Sequence, residues 1–467
     1  MPKSQFVDPK KAFTPGYIHF EDIPVCQYKK TLAEEKKLYK KDDFLRIYRD
    51  MRIIREFETM LNEIKTKSEY NGVAYNNPGP AHLSIGQEAS AVGEAYSLDI
   101  NDLTFGSHRS HGEILAKGLS SINKLEDGEL YDIMKEFLGG TVLNVVEKHM
   151  NAGGNIKELA INFLLYGALA EVFARTTGFN RGLGGSMHAF FIPFGIMPNN
   201  AIVGGGAPIA LGAALYKRSN RKKGIVVANC GDGACGRGPV LESFNFASMD
   251  QITQLWDGGK GEGMPILFNV FNNHYGMGGQ TRGETMGYDM AARLGAGFNP
   301  TMMHAERVNG YDPLAVIDAV TRKKELLVNG KGPALLDVVT YRVSGHSPSD
   351  SSTYRTPEEI EAWKAADPIL AFKEKLIKGK IATESEIGAI DSSIIDRMTE
   401  VIKLAINDDI SPRMDLDKTP DAISSIMFSN QKVHSMDPTR TAEMTKPREE
   451  CDRLKEMATK VRTAKDA

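Results

Sequence analysis

Three short apolar runs, each closed by a turn of glycine or asparagine, restrict the fold of this chain more than any other feature. Ile225-Val226-Val227 leads into Gly231-Asp232-Gly233, Ile266-Leu267-Phe268-Asn269-Val270 into Asn272-Asn273, and Ala334 to Val339 into Gly345-His346. Runs without polar alternation are what strands need when both faces of their sheet are covered. The stretches between them read as helices. The expected fold is therefore α/β, a doubly wound parallel sheet with helices on both faces. In such sheets ligands bind beyond the carboxyl ends of the strands, where these turns fall.

Around that centre the chain divides by texture. Residues 1–40 are polar and proline-punctuated and read as an N-terminal arm. Leu45, Tyr48, Met51, Ile54, Phe57, Leu61 and Ile64 recur every three or four residues and predict an amphipathic packing helix, with Arg46, Arg49, Asp50, Arg52 and Glu63 on other faces. A helical insertion is expected over 120–175, broken at Gly139-Gly140 and Gly153-Gly154, and a loop insertion over 251–263, with Trp256 and Met264 as its packing residues. Residues 41–365 form the expected main domain and 366–467 a polar, helical C-terminal extension.

Composition removes several functions. Lys and Arg total 57 against 60 Asp and Glu, a net charge of −3, which argues against a general nucleic-acid binder. Four cysteines in 467 residues rule out a disulfide scaffold, and Cys230 and Cys235 lack redox or zinc-motif spacing. No apolar run is long enough to span a bilayer, and the N-terminus lacks the apolar core of a signal peptide, so no membrane partner and a cytoplasmic location are expected.

The turns carry the chemistry. Glycines allow close backbone approach to a phosphate, and the next helix offers free N–H groups to it. An aspartate and an asparagine from neighbouring strand ends are hard oxygen ligands suited to Mg²⁺ on a diphosphate. A GDG turn alone is commonplace; GDG followed by NN at the end of the next apolar strand is far more specific.

With these two turns the chain resembles thiamine diphosphate enzymes, and in particular the α subunit of the E1 component of 2-oxo acid or acetoin dehydrogenase complexes. The resemblance covers roughly 40–365 and runs in order. It passes through His82-Leu83-Ser84-Ile85-Gly86-Gln87-Glu88, Ser107-His108-Arg109-Ser110-His111-Gly112, Gly184-Gly185-Ser186-Met187-His188, Ile202 to Pro208, the two turns, and Gly345-His346-Ser347-Pro348-Ser349-Asp350. It implies that Asp232 and Asn273, with the Tyr275 carbonyl, hold Mg²⁺. Gly233 and Ala234 would offer N–H groups to the diphosphate and Arg109, preceded by His108, would clamp it. Backbone around Ala201 and Val203 would hold the aminopyrimidine. His82 and His346 would act on substrate or proton transfer, with His346 also near the diphosphate.

The same resemblance implies a partner. The glutamate that activates the aminopyrimidine lies, in this enzyme class, on a second domain, which two-subunit E1 enzymes carry on a β chain. The roughly 100 residues after 365 show no strand-rich pattern that could supply it. An α₂β₂ assembly is expected, passing an acyl unit from a small carbonyl substrate to a lipoyl-bearing E2 acyltransferase. A split transketolase-like or carboligating enzyme, transferring to an aldehyde, is the alternative. His108, where pyruvate-specific relatives often carry tyrosine, and the IVGGG-x-P run look closer to acetoin-type chains. Ser347 and Ser349 fall in a loop phosphorylated in some relatives, with a plain loop as the other reading.

Overall fold

The computed structural model describes residues 7–253, 261–426, 455 and 458–459. Six strands form its main sheet: β1 (Leu103–Phe105), β2 (Ile196–Met197), β3 (Val226–Gly231), β4 (Ile266–Asn272), β5 (Glu306–Asn309) and β6 (Ala334–Val339). Their order is β2-β1-β3-β4-β6-β5, and every neighbouring pair is parallel. The three apolar runs are the central strands β3, β4 and β6. The others span only two to four residues, too short to carry an apolar run that sequence could single out.

Eight helices carry the packing: α1 (Lys41–Thr66), α2 (Glu88–Ala95), α3 (His111–Lys124), α4 (Ile156–Val172), α5 (Gly206–Ser219), α6 (Gly238–Ser248), α7 (Pro313–Val328) and α8 (Glu384–Ile406). Successive side chains of a strand point to opposite faces. Val226, Ala228, Ile266 and Phe268 pack with Ala210 of α5 and Phe244 of α6. Ile225, Val227, Leu267 and Leu336 pack with Val316 and Val320 of α7. Both faces are thus covered, as the unbroken apolar runs require. Helices α2 and α7 touch so closely that a Cβ on Gly93 would lie 2.5 Å from the Cβ of Val316.

A third apolar cluster is wholly helical in its main part. It joins Ile54 and Phe57 of α1, Leu119 of α3, Phe163 and Leu164 of α4, and Met398 and Val401 of α8. The α1 stripe is there but wider than the sequence predicted: Ile47, Ile53 and Met60 are buried too, while Leu45 is only partly so. Asp50, expected on an outer face, is buried and held by Arg49 at 2.9 Å. The division expected at 365 is a change of composition and not of packing, since α8 shares this core with α1 and α4. The 120–175 insertion is helical and broken by left-handed Gly139 and Gly140, with φ of +63° and +78°. Met264 is buried as expected, whereas Trp256 and residues 254–260 lie outside the described residues, as do 427–454 of the C-terminal extension. No helix among the described residues is long and apolar enough to cross a membrane.

Candidate cofactor and active site

Gly231 of β3 pairs with Phe271 of β4, so the ends of these strands deliver Asp232 and Asn273 to one place. Asp232 Oδ2 accepts from Thr281 Oγ1 at 2.5 Å, its Oδ1 from Asn273 N at 3.4 Å, and Asn273 Oδ1 from Tyr275 N at 3.2 Å. A cavity of about 490 Å³ opens over these strand ends. Its wall includes Asp232, Gly233, Ala234, Asn273 and Tyr275, and also His82, His108, Arg109, Val203 and His346. A second cavity of about 540 Å³, lined by Lys217, Lys223, Gly224 and Pro265, lies at the amino ends of β3 and β4, away from every strand-end turn.

The donors at the cavity floor fit a hard cation. Asp232 is 1% exposed, and burial pushes its carboxyl up to about 6. Among the described residues it has hydrogen-bond partners but no ion pair. A buried carboxylate beside an amide oxygen, with no cation in contact, matches the preference of Mg²⁺ for oxygen ligands. The wall fits an anion. Arg109 donates through Nη1 to the Leu83 carbonyl at 2.7 Å and through Nη2 to the His346 carbonyl at 3.1 Å. Arg342 Nη2 donates to the Gly276 carbonyl at 2.8 Å and to the Tyr354 hydroxyl at 2.6 Å. Both guanidiniums hydrogen-bond only to neutral acceptors, and the carboxylates that act on them, Glu58 on Arg109 and Asp350 and Asp232 on Arg342, do so without an ion pair among the described residues. Burial, then the neighbouring Arg342, pulls Arg109 down to about 9. A diphosphate would relieve both. Gly231 lacks a positive φ, and nothing lies within 4 Å of where its Cβ would stand. Neither backbone strain nor packing demands glycine there; the open space belongs to the cavity that Gly231 lines.

His82, His108 and His346 meet at this wall, with ring centroids 4.4 Å apart for His82 and His108, 4.9 Å for His82 and His346, and 5.8 Å for His108 and His346. Burial, then the neighbouring His108 and Arg109, pushes His82 down to about 3. Burial and then Arg109 and Arg342 push His346 to about 4. Both imidazoles are neutral at neutral pH. His82 Nδ1 is buried with no hydrogen-bond partner among the described residues.

Of the predicted residues, Ala201 alone is not brought to the cavity wall. Asn200 Oδ1 accepts from Ile202 N at 2.7 Å, and this local turn leaves Ala201 exposed while Asn200, Ile202 and Val203 line the cavity. Sequence reasoning missed Arg342, Gln87 and Asn229 of the lining, and the residues that brace it. Glu58 Oε2 accepts from Ser84 N at 2.8 Å and its Oε1 contacts His111 Nδ1 at 2.7 Å, tying the His82 loop to α1 and α3. Glu171 collects Asn180 N at 2.7 Å, Gly182 N at 2.9 Å, Gly184 N at 2.6 Å and Gly185 N at 3.2 Å. The available signal was an acidic residue in an apolar helix, and no motif joins it to the loop that follows. Glu171→Gln replaces a charged acceptor of four N–H groups with one carbonyl oxygen and an unwanted donor. We expect the 178–188 loop to exchange its amide hydrogens at least tenfold faster, with the sheet unchanged.

Residues 156–412 match the dehydrogenase E1 component family. The chain belongs to the dehydrogenase E1 component family. It is similar to the probable pyruvate dehydrogenase E1 component subunit alpha, mitochondrial, of Caenorhabditis elegans, 31% identical over 84% of this chain and 79% of that one. The type I subunit alpha of Ascaris suum is 31% identical over 80% of this chain and 76% of its own length. The subunit alpha of Rickettsia conorii is 28% identical over 83% and 95%. The E1 match spans α4, β3, β4 and β6, and hence the strand ends that carry Asp232, Asn273 and His346.

Proposed function

We propose that this chain is the α subunit of a thiamine diphosphate-dependent 2-oxo acid dehydrogenase acting on a pyruvate-like substrate. The observation that carries the reading is the cavity at the ends of β3 and β4, lined by a buried carboxylate and two guanidiniums that form no ion pair among the described residues. Asp232, Asn273 and the Tyr275 carbonyl hold Mg²⁺ in this reading. Arg109, Arg342, Gly233 and Ala234 hold the diphosphate. When bound, thiamine diphosphate supplies the carbon nucleophile and electron sink for cleaving the C–C bond beside a carbonyl. The chain's own residues bind and orient. His82, a neutral imidazole with a free buried Nδ1, is placed to exchange a proton with a carbonyl oxygen of the substrate. Phe271, Ile202 and Val203 make part of the cavity lining apolar.

The same reading includes a second chain. Among the described residues no glutamate lines the cavity, and its lip carries exposed apolar Ile202, Val203 and Met277. A β subunit that supplies the missing carboxylate would also cover this lip. Transfer to a lipoyl group on an E2 acyltransferase and a cytoplasmic location complete the reading. The test is reductive acylation of a lipoyl domain by the co-expressed α and β chains with pyruvate, thiamine diphosphate and Mg²⁺. We expect acylation that needs both chains. Turnover only with an aldehyde acceptor, or full activity of the α chain alone, would overturn it.

A further inference from the structure

Cys230 is the penultimate residue of β3, and Cys235 closes the single helical turn Asp232–Cys235 that follows it. Their spacing matches no redox motif, yet the tight strand-to-helix turn folds one side chain onto the other. Cys230 Sγ and Cys235 Sγ lie 3.9 Å apart. Both are free thiols, 7% and 0% exposed, in the apolar cluster with Val240 and Phe244 of α6. They differ in access: Cys230 lines the cavity of about 490 Å³, and Cys235 lies behind it, outside the lining. The chain between the two sulfurs carries Asp232, Gly233 and Ala234, the turn assigned above to Mg²⁺ and the diphosphate.

We propose that Cys230 and Cys235 are a redox modification site, which a hydroperoxide converts to an intramolecular disulfide that distorts the cofactor turn. Peroxide, small enough to enter the cavity, oxidises the Cys230 thiol to a sulfenic acid and releases one water. The Cys235 sulfur then attacks the Cys230 sulfur. The S–O bond breaks, and the hydroxyl leaves with the Cys235 proton as a second water. The two thiols together lose two electrons and one peroxide gains them. An S–S bond of about 2.05 Å requires the sulfurs to close from 3.9 Å. Cys230 is held in the central strand, paired with Val270 of β4, so the movement falls on the turn. Gly236, next after Cys235, packs so closely that a Cβ on it would lie 2.1 Å from the Thr285 carbonyl oxygen. The shift therefore passes to the 281–285 segment, whose Thr281 hydroxyl holds Asp232. The loss of cofactor affinity on oxidation rests on the proposed function, whereas the disulfide does not.

The test treats the co-expressed α and β chains with hydrogen peroxide, then reads peptide masses and the Mg²⁺-dependent affinity for thiamine diphosphate. Trypsin cuts after Lys223 and Arg237, so both thiols fall in one peptide, apart from Cys26 and Cys451. That peptide is expected to lose two hydrogens and resist alkylation. Affinity should fall at least tenfold, and dithiothreitol should restore both. Cys235→Ser, outside the cavity lining and checked for folding by circular dichroism, should form no disulfide and keep its affinity through the same treatment. Peroxide that leaves the peptide unchanged, or only adds oxygen to Cys230, would overturn the modified pair. A disulfide that leaves affinity unchanged, or an equal loss in Cys235→Ser, would overturn its effect on the turn. A disulfide formed in a complex whose reduced state has no affinity for thiamine diphosphate upholds the pair and overturns the cofactor reading instead.

Discussion

Asp232→Asn is expected to weaken Mg²⁺-dependent binding of thiamine diphosphate by at least ~100-fold, about 2.7 kcal/mol, without unfolding the chain. Asp232 is the only acidic side chain lining the cavity among the described residues, and its two oxygens are directed at Thr281 and the Asn273 backbone. The amide keeps the shape and one oxygen acceptor but removes the charge that attracts the cation. Burial already raises the pKa of this carboxyl, so the charged form is held at a cost to the fold. Loss of that charge should leave the melting temperature of the cofactor-free chain unchanged or slightly higher. The combination is diagnostic: a structural aspartate would lose stability, a metal ligand loses affinity. Calorimetric titration of the co-expressed α and β chains, alongside thermal melts, reads both. Parent-like affinity in the variant would remove Asp232 from the metal set.

Arg109→Met should weaken diphosphate binding to a similar extent, at least ~100-fold or about 2.7 kcal/mol, and should also loosen two loops. The guanidinium bridges the Leu83 and His346 carbonyls, so it holds the His82 and His346 segments together as well as facing the cavity. Methionine fills the volume but leaves both carbonyls without their donor, at about 1–3 kcal/mol for each buried acceptor left unsatisfied. Arg109→Lys restores the charge but not the fork that reaches two carbonyls at once, so intermediate binding is expected. Faster amide exchange at 82–88 and 345–350, with weaker diphosphate binding, is the predicted pair of changes. Parent-like affinity in the methionine variant would mean that Arg109 braces loops and clamps nothing.

The sheet was legible because its central strands are buried on both faces and so had to be written as unbroken apolar runs. The GDG and NN turns were legible because they sit directly at the ends of those runs, so chain position alone brought Asp232 and Asn273 together. Arg342 was not legible: it lies between the last strand and the His346 turn with no motif of its own. Glu58 and Glu171 were hidden for another reason. Glu58 is one acid among many on the charge-rich α1, with partners Ser84 and His111 remote in sequence, and Glu171 is an acid on the apolar α4 whose partners in the 180–185 loop share no motif with it.

The sequence by itself determined the parallel α/β sheet, the position of the GDG and NN turns and the membership of the E1 family, because each is encoded in contiguous residues under local constraints. Only the tertiary structure decided that Ala201 turns outward, that α8 belongs to the main helical core, and that three histidines from separate segments converge at one cavity mouth. Those outcomes depend on which distant surfaces pack together and which charges burial leaves unbalanced, and no stretch of chain carries that information alone.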